Sequence, residues 1–377
     1  MSSYEIYLRN SAGVRVAFLD AQTVVSLKMA HTVNTVGTVE LVTSDNYSWS
    51  YIQQDGQLEI YRTSDAGIQE LLEGTLWLIV SHKKSLVNGQ RTYTIIANSG
   101  LDLLERAIVA YPSQNAQAII TSGYADDNMK RIVKDNLGSL VNNPIAYDGV
   151  HERKLYNPPL TVAANTSAAA AVQKAFAWQK LLPLIQGLAA ASAAAGIYLF
   201  FDVVWNAMNG WTFNTYVGQR GNDLTTGNNQ VLFSPENENI RDVSVEYDYR
   251  NEVNYVYAGG QGLQSNRDVA ISTDLARIMA SPVNRREAFV NARNTTPGNT
   301  AALQGDANAA LRAGRPLKIF TGQLFSTPTC EYGTHWHFGD KVRATFDQDS
   351  FICWIDAITL SIVNGQETIG GTLRSIT

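Results

Sequence analysis

The chain has 377 residues, of which 45% are hydrophobic, and this is enough to bury a large core and to form two or three domains. Only 17% are charged and the net charge is -5, which argues against a free-standing nucleic-acid-binding protein, since phosphate contacts need clustered Lys and Arg. Two cysteines, Cys330 and Cys353, are too few for a disulfide framework, so we expect two buried thiols. The N-terminus lacks the layout of a signal peptide, so we expect synthesis in a cytoplasm.

The first hundred residues predict β-strands. Apolar and polar side chains alternate in four runs, the period of a strand with one buried face, at residues 14–18, 25–29, 76–80 and 93–97. Asn88-Gly89 lies between the last two runs and predicts a two-residue hairpin, because both central residues of that turn need positive φ. Asp55-Gly56 predicts a second turn of this kind. The pattern favours a mostly antiparallel sheet or a closed barrel.

The apolar period becomes helical after residue 100. Residues 101–108 predict one short helix. Residues 129–137 predict a second helix, with Asp126 as its N-cap and Gly138 as its end.

Residues 142–159 contain two proline-bearing turns and predict a loop. Residues 168–180 predict a helix that Thr166 or Ser167 would cap. Residues 181–205 are the most apolar part of the chain, but their bulk is largely alanine, whereas a membrane span needs about 20 strongly apolar residues. We therefore expect a buried helix, ended by Gly196, that leads into a strand.

Strands return in the second half. Residues 243–249 and 253–257 alternate, and we assign their tyrosines to the core, with an intersubunit contact as the alternative: Tyr247, Tyr249, Tyr255 and Tyr257. A helix is predicted at Thr300–Ala313, and strands at 317–325, 341–346, 351–362 and 367–373. Residues 86–92 and 362–368 are similar hairpin sequences. Either the similarity is chance or two related barrels occupy the two ends of the chain.

Chemistry-bearing motifs are few. His151-Glu152 has Leu155 where a zinc-protease motif would place its second histidine. The glycine-rich residues 259–262 follow a strand, but residues 267–271 predict another strand instead of a phosphate-binding helix, so we interpret them as a loop. The sequence therefore predicts no catalytic residue and no cofactor.

His335-Trp336-His337 is the most distinctive polar segment. On a strand both histidines would share one face, with Cys330 near in sequence, which is the beginning of a metal site. No third and fourth ligand lies at an obvious spacing. We therefore favour a polar strand face with Trp336 buried on the other side, and we predict no metal.

Three segments of the C-terminal half, in this order, resemble the tail-hub (baseplate-hub) proteins of tailed bacteriophages. They are NYVYAGGQG at 254–262, RREAFVNAR at 285–293 and YGTHWHFGDKV at 332–342. The family more often has Asp at position 291 and at one or both of positions 335 and 337. That difference does not affect the contribution of these segments to the backbone fold. It argues against a catalytic role for positions 291, 335 and 337.

The resemblance implies a β-rich α+β fold with two tube-like antiparallel β-barrel domains. The first would span 1–108, followed by a helix-containing insertion at 109–200. The second barrel would combine 201–260 with 315–377. Residues 261–314 would form a loop and helix extension packed beside the insertion.

The resemblance also implies a function, namely a structural hub in the virion tail tip that forms a homotrimeric ring. This ring would join the six-fold tail tube or distal tail protein to a three-fold spike or fibre, with the tape measure protein as a further candidate partner. DNA would pass through the lumen without specific binding, and no enzymatic activity is implied.

Two rival functions remain open at this point. One is a carbohydrate-binding host-recognition module that uses exposed aromatics such as Trp211 or Trp336. The other is a tail-associated cell-wall hydrolase, which we expect less because the chain ends soon after its last predicted strand.

Overall fold

The computed structural model describes residues 2–87, 89–109, 119–121, 123–137, 160–172, 174–176, 178–262, 266–293, 295, 298–363 and 365–376. His151 and the predicted loop at 142–159 lie outside them. The helices are α1 (Asp102–Glu105), α2 (Ala125–Asn136), α3 (Leu181–Ala194), α4 (Leu275–Met279) and α5 (Thr300–Ala313). No helix of this part of the chain is both long and apolar enough to span a membrane.

Strands dominate, and the predicted β-rich class is confirmed. They are β1 (Ser3–Arg9), β2 (Arg15–Leu19), β3 (Val24–Thr32), β4 (Thr38–Thr43), β5 (Gln57–Thr63), β6 (Gln69–Leu71), β7 (Trp77–Val87), β8 (Gln90–Asn98), β9 (Ile119–Thr121), β10 (Thr161–Val162), β11 (Lys174–Phe176), β12 (Leu199–Asn206), β13 (Gly210–Val217), β14 (Leu232–Phe233), β15 (Ile240–Asp248), β16 (Tyr255–Gly259), β17 (Val269–Thr273), β18 (Glu287–Asn291), β19 (Leu317–Leu324), β20 (Lys341–Phe346), β21 (Asp349–Val363) and β22 (Gln366–Ser375).

One large sheet joins the two ends of the chain. Its strand order is β14-β20-β21-β3-β4-β8-β7-β5-β1-β2, with β22 also on β21 and β6 also on β5. Strand β21 is 15 residues long, which lets it pair with β20 along its first part, with β3 along its last part and with β22 along most of its length. Strands from both predicted barrel segments therefore lie in one sheet, and no sheet of the described residues closes into a barrel.

Alternation explains how this sheet buries its core. Leu27 faces Leu41 across β3 and β4, and Leu41 faces Ile95 across β4 and β8. All three side chains are fully buried, and each contributes about 1.5–3 kcal/mol by leaving water. The neighbouring pair Lys28 and Glu40 points to the opposite face, as a period of two requires.

Both similar hairpin sequences do form hairpins. Val87 pairs with Gln90 and Val363 pairs with Gln366, which leaves two residues in each connection. Gly89 and Gly365 have φ of 80° and 76°, the left-handed region that glycine enters without steric cost. Asn88 and Asn364 themselves lie outside the described residues.

Asp55-Gly56 forms a turn but not the predicted hairpin. Asp55 has φ of 58°, and the Gly56 amide donates to the Gln53 carbonyl. The strand before this turn, β4, pairs with β3 and β8 and not with the following β5. The dipeptide was therefore a correct turn signal, whereas the strand pairing was decided elsewhere in the sheet.

The helices of the middle segment match the sequence only in part. Helix α3 ends at Ala194, two residues before Gly196 with its φ of 92°, and strand β12 follows, as predicted. The helix predicted at 168–180 is wrong, because this segment contains an isolated bridge and the short strand β11. Asp126 is not the N-cap of α2, and instead its carboxylate accepts bonds from the Thr166 hydroxyl at 2.5 Å and the Ala169 amide at 3.2 Å. The bridge between Ala171 and Tyr124 and the pairing of β11 with β9 hold this segment in an extended conformation instead.

Candidate assembly surface

A three-stranded sheet in the C-terminal half has one covered and one open face. Its order is β17-β16-β18, with β17 antiparallel and β18 parallel to the central strand. Val256 and Ala258 of β16 point to the covered face, where they pack with Ala307 of helix α5, and all three are fully buried. The alternate residues of the same strands must therefore face away from the core of the molecule.

The open face is rich in apolar and aromatic side chains. Tyr257 lies between Ile271 and Phe289 in the register of the three strands. Ile271 is 46% exposed and Phe289 is 55% exposed, while Tyr257 is half-buried. The ring of Tyr255 lies 4.8 Å from that of Tyr257. We call these four residues the aromatic face.

Arginines lie over the rings of this face. The Arg285 guanidinium is 4.4 Å from the centroid of the Tyr255 ring, and that of Arg267 is 4.9 Å from the Phe289 centroid. Tyr, Phe and Arg are the residues enriched in the buried centres of protein interfaces, and contiguous exposed apolar patches mark interaction sites. The aromatic face therefore has the composition of an interface core.

Arg267 also binds the backbone of the glycine-rich segment at 259–262. Its guanidinium donates to the carbonyls of Gly259 and Gly260 at 2.9 Å each. A carbonyl-lined turn held by an arginine presents acceptors, whereas phosphate binding needs N–H donors. These contacts are consistent with the interpretation of this segment as a loop.

The assignment of the four tyrosines to the core is wrong. Tyr255 and Tyr257 lie on the aromatic face, which points away from the core. Tyr247 is 48% exposed and Tyr249 is 51% exposed. Tyr247 lies near the end of β15, where its hydroxyl donates to Asp349 at 2.8 Å and the Lys318 ammonium lies 5.2 Å from its ring. Alternation alone does not distinguish a buried face from one that ends at the surface.

The histidine segment is not a strand and does not gather a metal site. His335 Nδ1 accepts from the Glu331 amide at 3.0 Å, whereas His337 Nε2 lies 3.1 Å from Glu70. The hydrogen bond to Glu70 raises the pKa of His337. Among the described residues no group of three or more His, Cys, Asp and Glu side chains is placed to hold a metal ion.

The two tryptophans considered for glycan binding, Trp211 and Trp336, are both buried in the core. Trp336 is fully buried and its indole N–H donates to the Cys330 carbonyl at 3.0 Å. Trp211 is only 1% exposed, so neither ring offers a platform for a glycan. Cys330 and Cys353 are buried free thiols, as predicted, and burial raises the pKa of Cys353 to about 12.

A buried ion pair anchors the segment 332–342 to the middle of the chain. Arg220 donates to the Asp202 carboxylate at 3.0 Å and to the Phe338 carbonyl at 2.7 Å. Burial raises the pKa of Asp202, although Arg220 and Tyr216 oppose this rise. The sequence offered no signal for this pair, because neither residue belongs to a motif and their contact with Phe338 spans 118 positions.

Asp340 confirms the predicted turn into strand β20. Its carboxylate is fully buried and accepts from the backbone amides of His337 and Asn222, both at 2.7 Å. Burial raises its pKa. The Gly-Asp signal of this segment therefore has a structural role, since Asp340 fixes two loops that meet at the start of β20.

His31 and Glu73 form a second buried polar group that the sequence did not reveal. His31 Nδ1 lies 4.0 Å from Glu73 Oε2, and the imidazole stacks 4.7 Å from the Phe338 ring. The Tyr332 hydroxyl donates to Glu73. Burial lowers the pKa of His31 to about 3, and burial raises the pKa of Glu73.

We expect His31 to make the stability of the fold depend on pH. A histidine with a lowered pKa binds a proton more readily when unfolded, so its contribution is complete above the unfolded pKa of about 6.5 and is lost as pH falls toward 3. Between pH 7.5 and pH 5, the wild type should lose about 2 kcal/mol more unfolding free energy than His31→Phe, whose ring does not titrate. Urea unfolding at both pH values measures this difference. Equal losses would contradict the prediction.

The fold and family relate the chain to known proteins. The profile of the Siphovirus ReqiPepy6 Gp37-like protein family matches residues 5–372. No curated protein sequence matches the chain significantly.

Three solved structures share this fold at low sequence identity. Prophage tail protein gp18 from Listeria monocytogenes EGD-e is 14% identical, with 98% of this chain and 94% of that chain covered and a TM-score of 0.57. The tail protein from Neisseria meningitidis MC58 is 13% identical, with 99% and 97% covered and a TM-score of 0.56. The 43 kDa tail protein of prophage MuSo2 from Shewanella oneidensis is 12% identical, with 98% of each chain covered and a TM-score of 0.57.

The profile spans nearly the whole chain, and the predicted resemblance to phage tail proteins is confirmed. The chain is a member of the Siphovirus ReqiPepy6 Gp37-like family of phage tail proteins.

Proposed function

We propose that the chain is the structural hub of a phage tail tip or baseplate. Three copies form a ring that joins the six-fold tail tube or distal tail protein to a three-fold spike or fibre, and DNA passes through the ring during ejection. Residues 1–108, and residues 201–260 with 315–377, act as the two tube-like units of each copy. Residues 109–200 and 261–314 lie beside them. The two similar hairpins, each of which joins two long strands, support this division.

The aromatic face is the observation that carries the proposal. A ring of identical chains needs a heterologous contact in which one surface meets a different surface of the next copy. An aromatic and arginine-rich sheet face, covered on its other side by α5, supplies a rigid apolar centre for such a contact.

The polar groups support a structural role without enzymatic activity. The buried carboxylate of Asp202 accepts a hydrogen bond from Arg220, and that of Asp340 accepts from two backbone amides. Both acids therefore stabilise the fold. The net charge of -5 fits a lumen that lets DNA slide, since a phosphate-binding surface would need clustered cations.

The solution mass of the purified chain, with negative-stain class averages of the same sample, tests the hub. We expect particles of three times the chain mass of 41.3 kDa, seen as open rings. If the chain alone is monomeric, the tail tube or distal tail protein is added. Failure to form a ring with these partners would contradict the proposal.

Phe289→Ser tests the role of the aromatic face. A residue at the centre of an interface contributes at least about 2 kcal/mol, and a closed ring of three copies has three such interfaces. We therefore expect the trimer to dissociate at a concentration at least about 100-fold higher than the wild type. Sedimentation across a concentration series measures this change, and circular dichroism verifies the fold. Leu86→Ser is the matched control, because Leu86 is 67% exposed on strand β7, away from this sheet. Equal effects of the two substitutions would exclude the aromatic face as the contact.

A further inference from the structure

A large cavity lies between two strands of the main sheet that do not pair with each other. Its volume is about 1510 Å³, and it opens between the N-terminal strand β1 and the C-terminal strand β22. Apolar side chains of the core form its inner wall, among them Ile6, Leu27 and Ile369. A cavity of this size is larger than one side chain could fill. It reaches the hydrophobic core that the main sheet covers.

Strand β1 has an open edge along this cavity. It pairs with β5 from Ser3 onward, but its partner on the other side, β2, begins to pair only at Ile6. Among the described residues no strand pairs with residues 3–5 on that side, where the short 3-10 turn Ala21–Thr23 contacts β1. Such an edge presents backbone N–H and C=O groups that can pair with another strand.

Strand β22 has a similar open edge on the other side of the cavity. It pairs with β21 along residues 366–375. On its other side, β19 lies alongside the far half of β22, where the Ser375 hydroxyl donates to the Lys318 carbonyl at 2.5 Å. Residues 366–369 precede that contact and line the cavity.

The lining residues show that the cavity follows these edges. Ser2, Ser3 and Tyr4 all line it, as do residues 366–368. Successive side chains of a strand point to opposite faces, so a cavity that touches three in a row runs along the edge of the strand. We call this cavity the edge slot.

Side chains, not backbone, bridge the slot. The Ser2 hydroxyl donates to Glu367 at 2.7 Å, Arg62 donates to the same carboxylate at 2.8 Å, and the Tyr4 hydroxyl also reaches it. Paired strands lie about 4.8 Å apart, whereas a tyrosine and a glutamate that meet tip to tip separate their strands further. The cavity of about 1510 Å³ beside these bridging side chains is large enough to hold a short segment of main chain.

We propose that the edge slot binds an extended segment of another tail protein, which adds a β-strand between β1 and β22. Main-chain hydrogen bonds to the two open edges supply affinity, and alternate side chains enter the apolar inner wall. The slot has three acidic lining residues, Asp65, Glu331 and Glu367, and one basic residue, Arg62. Its negative balance selects a segment that alternates apolar residues with Lys or Arg. This inference rests on the proposed function only in that the partner belongs to the tail.

Site-specific photo-crosslinking in assembled tails tests the slot. A benzophenone amino acid replaces Thr368, which lines the slot, or Thr372, which is exposed on the same strand but outside the slot. We expect at least ten-fold more cross-linking to a different tail protein from position 368 than from position 372. Mass spectrometry of the cross-linked peptide identifies the segment and its composition.

The other outcomes are also decisive. A cross-link from position 368 to a second copy of this chain would overturn the proposed occupant, and equal yields at both positions would overturn the slot.

Because the probe itself could block assembly, hydrogen exchange of the wild-type protein provides a second measurement. Amides of residues 3–5 and 366–369 should exchange at least ten-fold more slowly in tails than in the free protein, and unchanged rates would overturn the proposal. Ring formation is measured separately, so a failed slot leaves the hub intact.

Discussion

Replacing Arg220 with methionine is expected to lower the free energy of unfolding by about 3–5 kcal/mol, because it leaves a buried carboxylate without its counter-ion. Asp202 is only 5% exposed, and Arg220 is its cationic partner at 2.9 Å. The same guanidinium stacks 4.5 Å from the Phe338 ring and donates to the Phe338 carbonyl. Urea unfolding at pH 7.5, followed by tryptophan fluorescence, measures the loss.

Two further variants separate the ion pair from a general effect of losing an arginine. Arg250→Met removes an exposed guanidinium that pairs with Asp248 at 2.7 Å, and we expect no measurable change because solvent screens such a pair. The double variant Arg220→Met with Asp202→Leu should recover part of the lost stability, since it removes the unpaired charge. If Arg220→Met behaves like Arg250→Met, the pair does not stabilise the fold as we expect.

Trp336→Ala is expected to cost about 3–5 kcal/mol, since it removes a fully buried indole and leaves a cavity. The ring of Trp336 lies 5.1 Å from the Tyr332 ring and 5.5 Å from that of Phe233, and its N–H holds the Cys330 carbonyl. Thermal unfolding by calorimetry measures the effect.

Tyr47→Ala is a suitable control for that substitution. Tyr47 is 70% exposed, and truncation at the surface should change stability by less than about 0.5 kcal/mol. Trp336→Phe should have an intermediate effect, because it keeps most of the buried area but removes the indole N–H that donates to the Cys330 carbonyl. A loss for Trp336→Ala no larger than that of Tyr47→Ala would mean that the segment 332–342 does not depend on this ring.

Local sequence patterns determined much of the secondary structure. Helix α5 occupies Thr300–Ala313, as predicted, and both Asn-Gly hairpins connect the predicted strands. The burial of Trp336 and the turn at Asp340 were also accessible from sequence. These features depend on side-chain period, turn residues and hydrophobicity over a few neighbouring positions, so a short window of sequence contains the physical information.

Long-range contacts decided what the sequence could not. Residues 168–180 had helical periodicity, but Lys174–Phe176 pair as strand β11 with strand β9, more than 50 positions away. Strand alternation at Tyr247 did not reveal which face would be covered. The pairing of β21 with β3 joins the two ends of the chain, and no local pattern encodes a partner that lies over 300 residues away.

The sequence by itself determined the family and the absence of a recognisable catalytic motif. Only the tertiary structure decided which surfaces remain open, namely the aromatic face and the edge slot. The physical reason is that alternating apolar and polar residues show only that a strand has two different faces. The elements that pack on the strand decide which face or edge is covered. Exposure is a property of the assembled fold, so the surfaces where a partner can bind become visible only when the core has been formed.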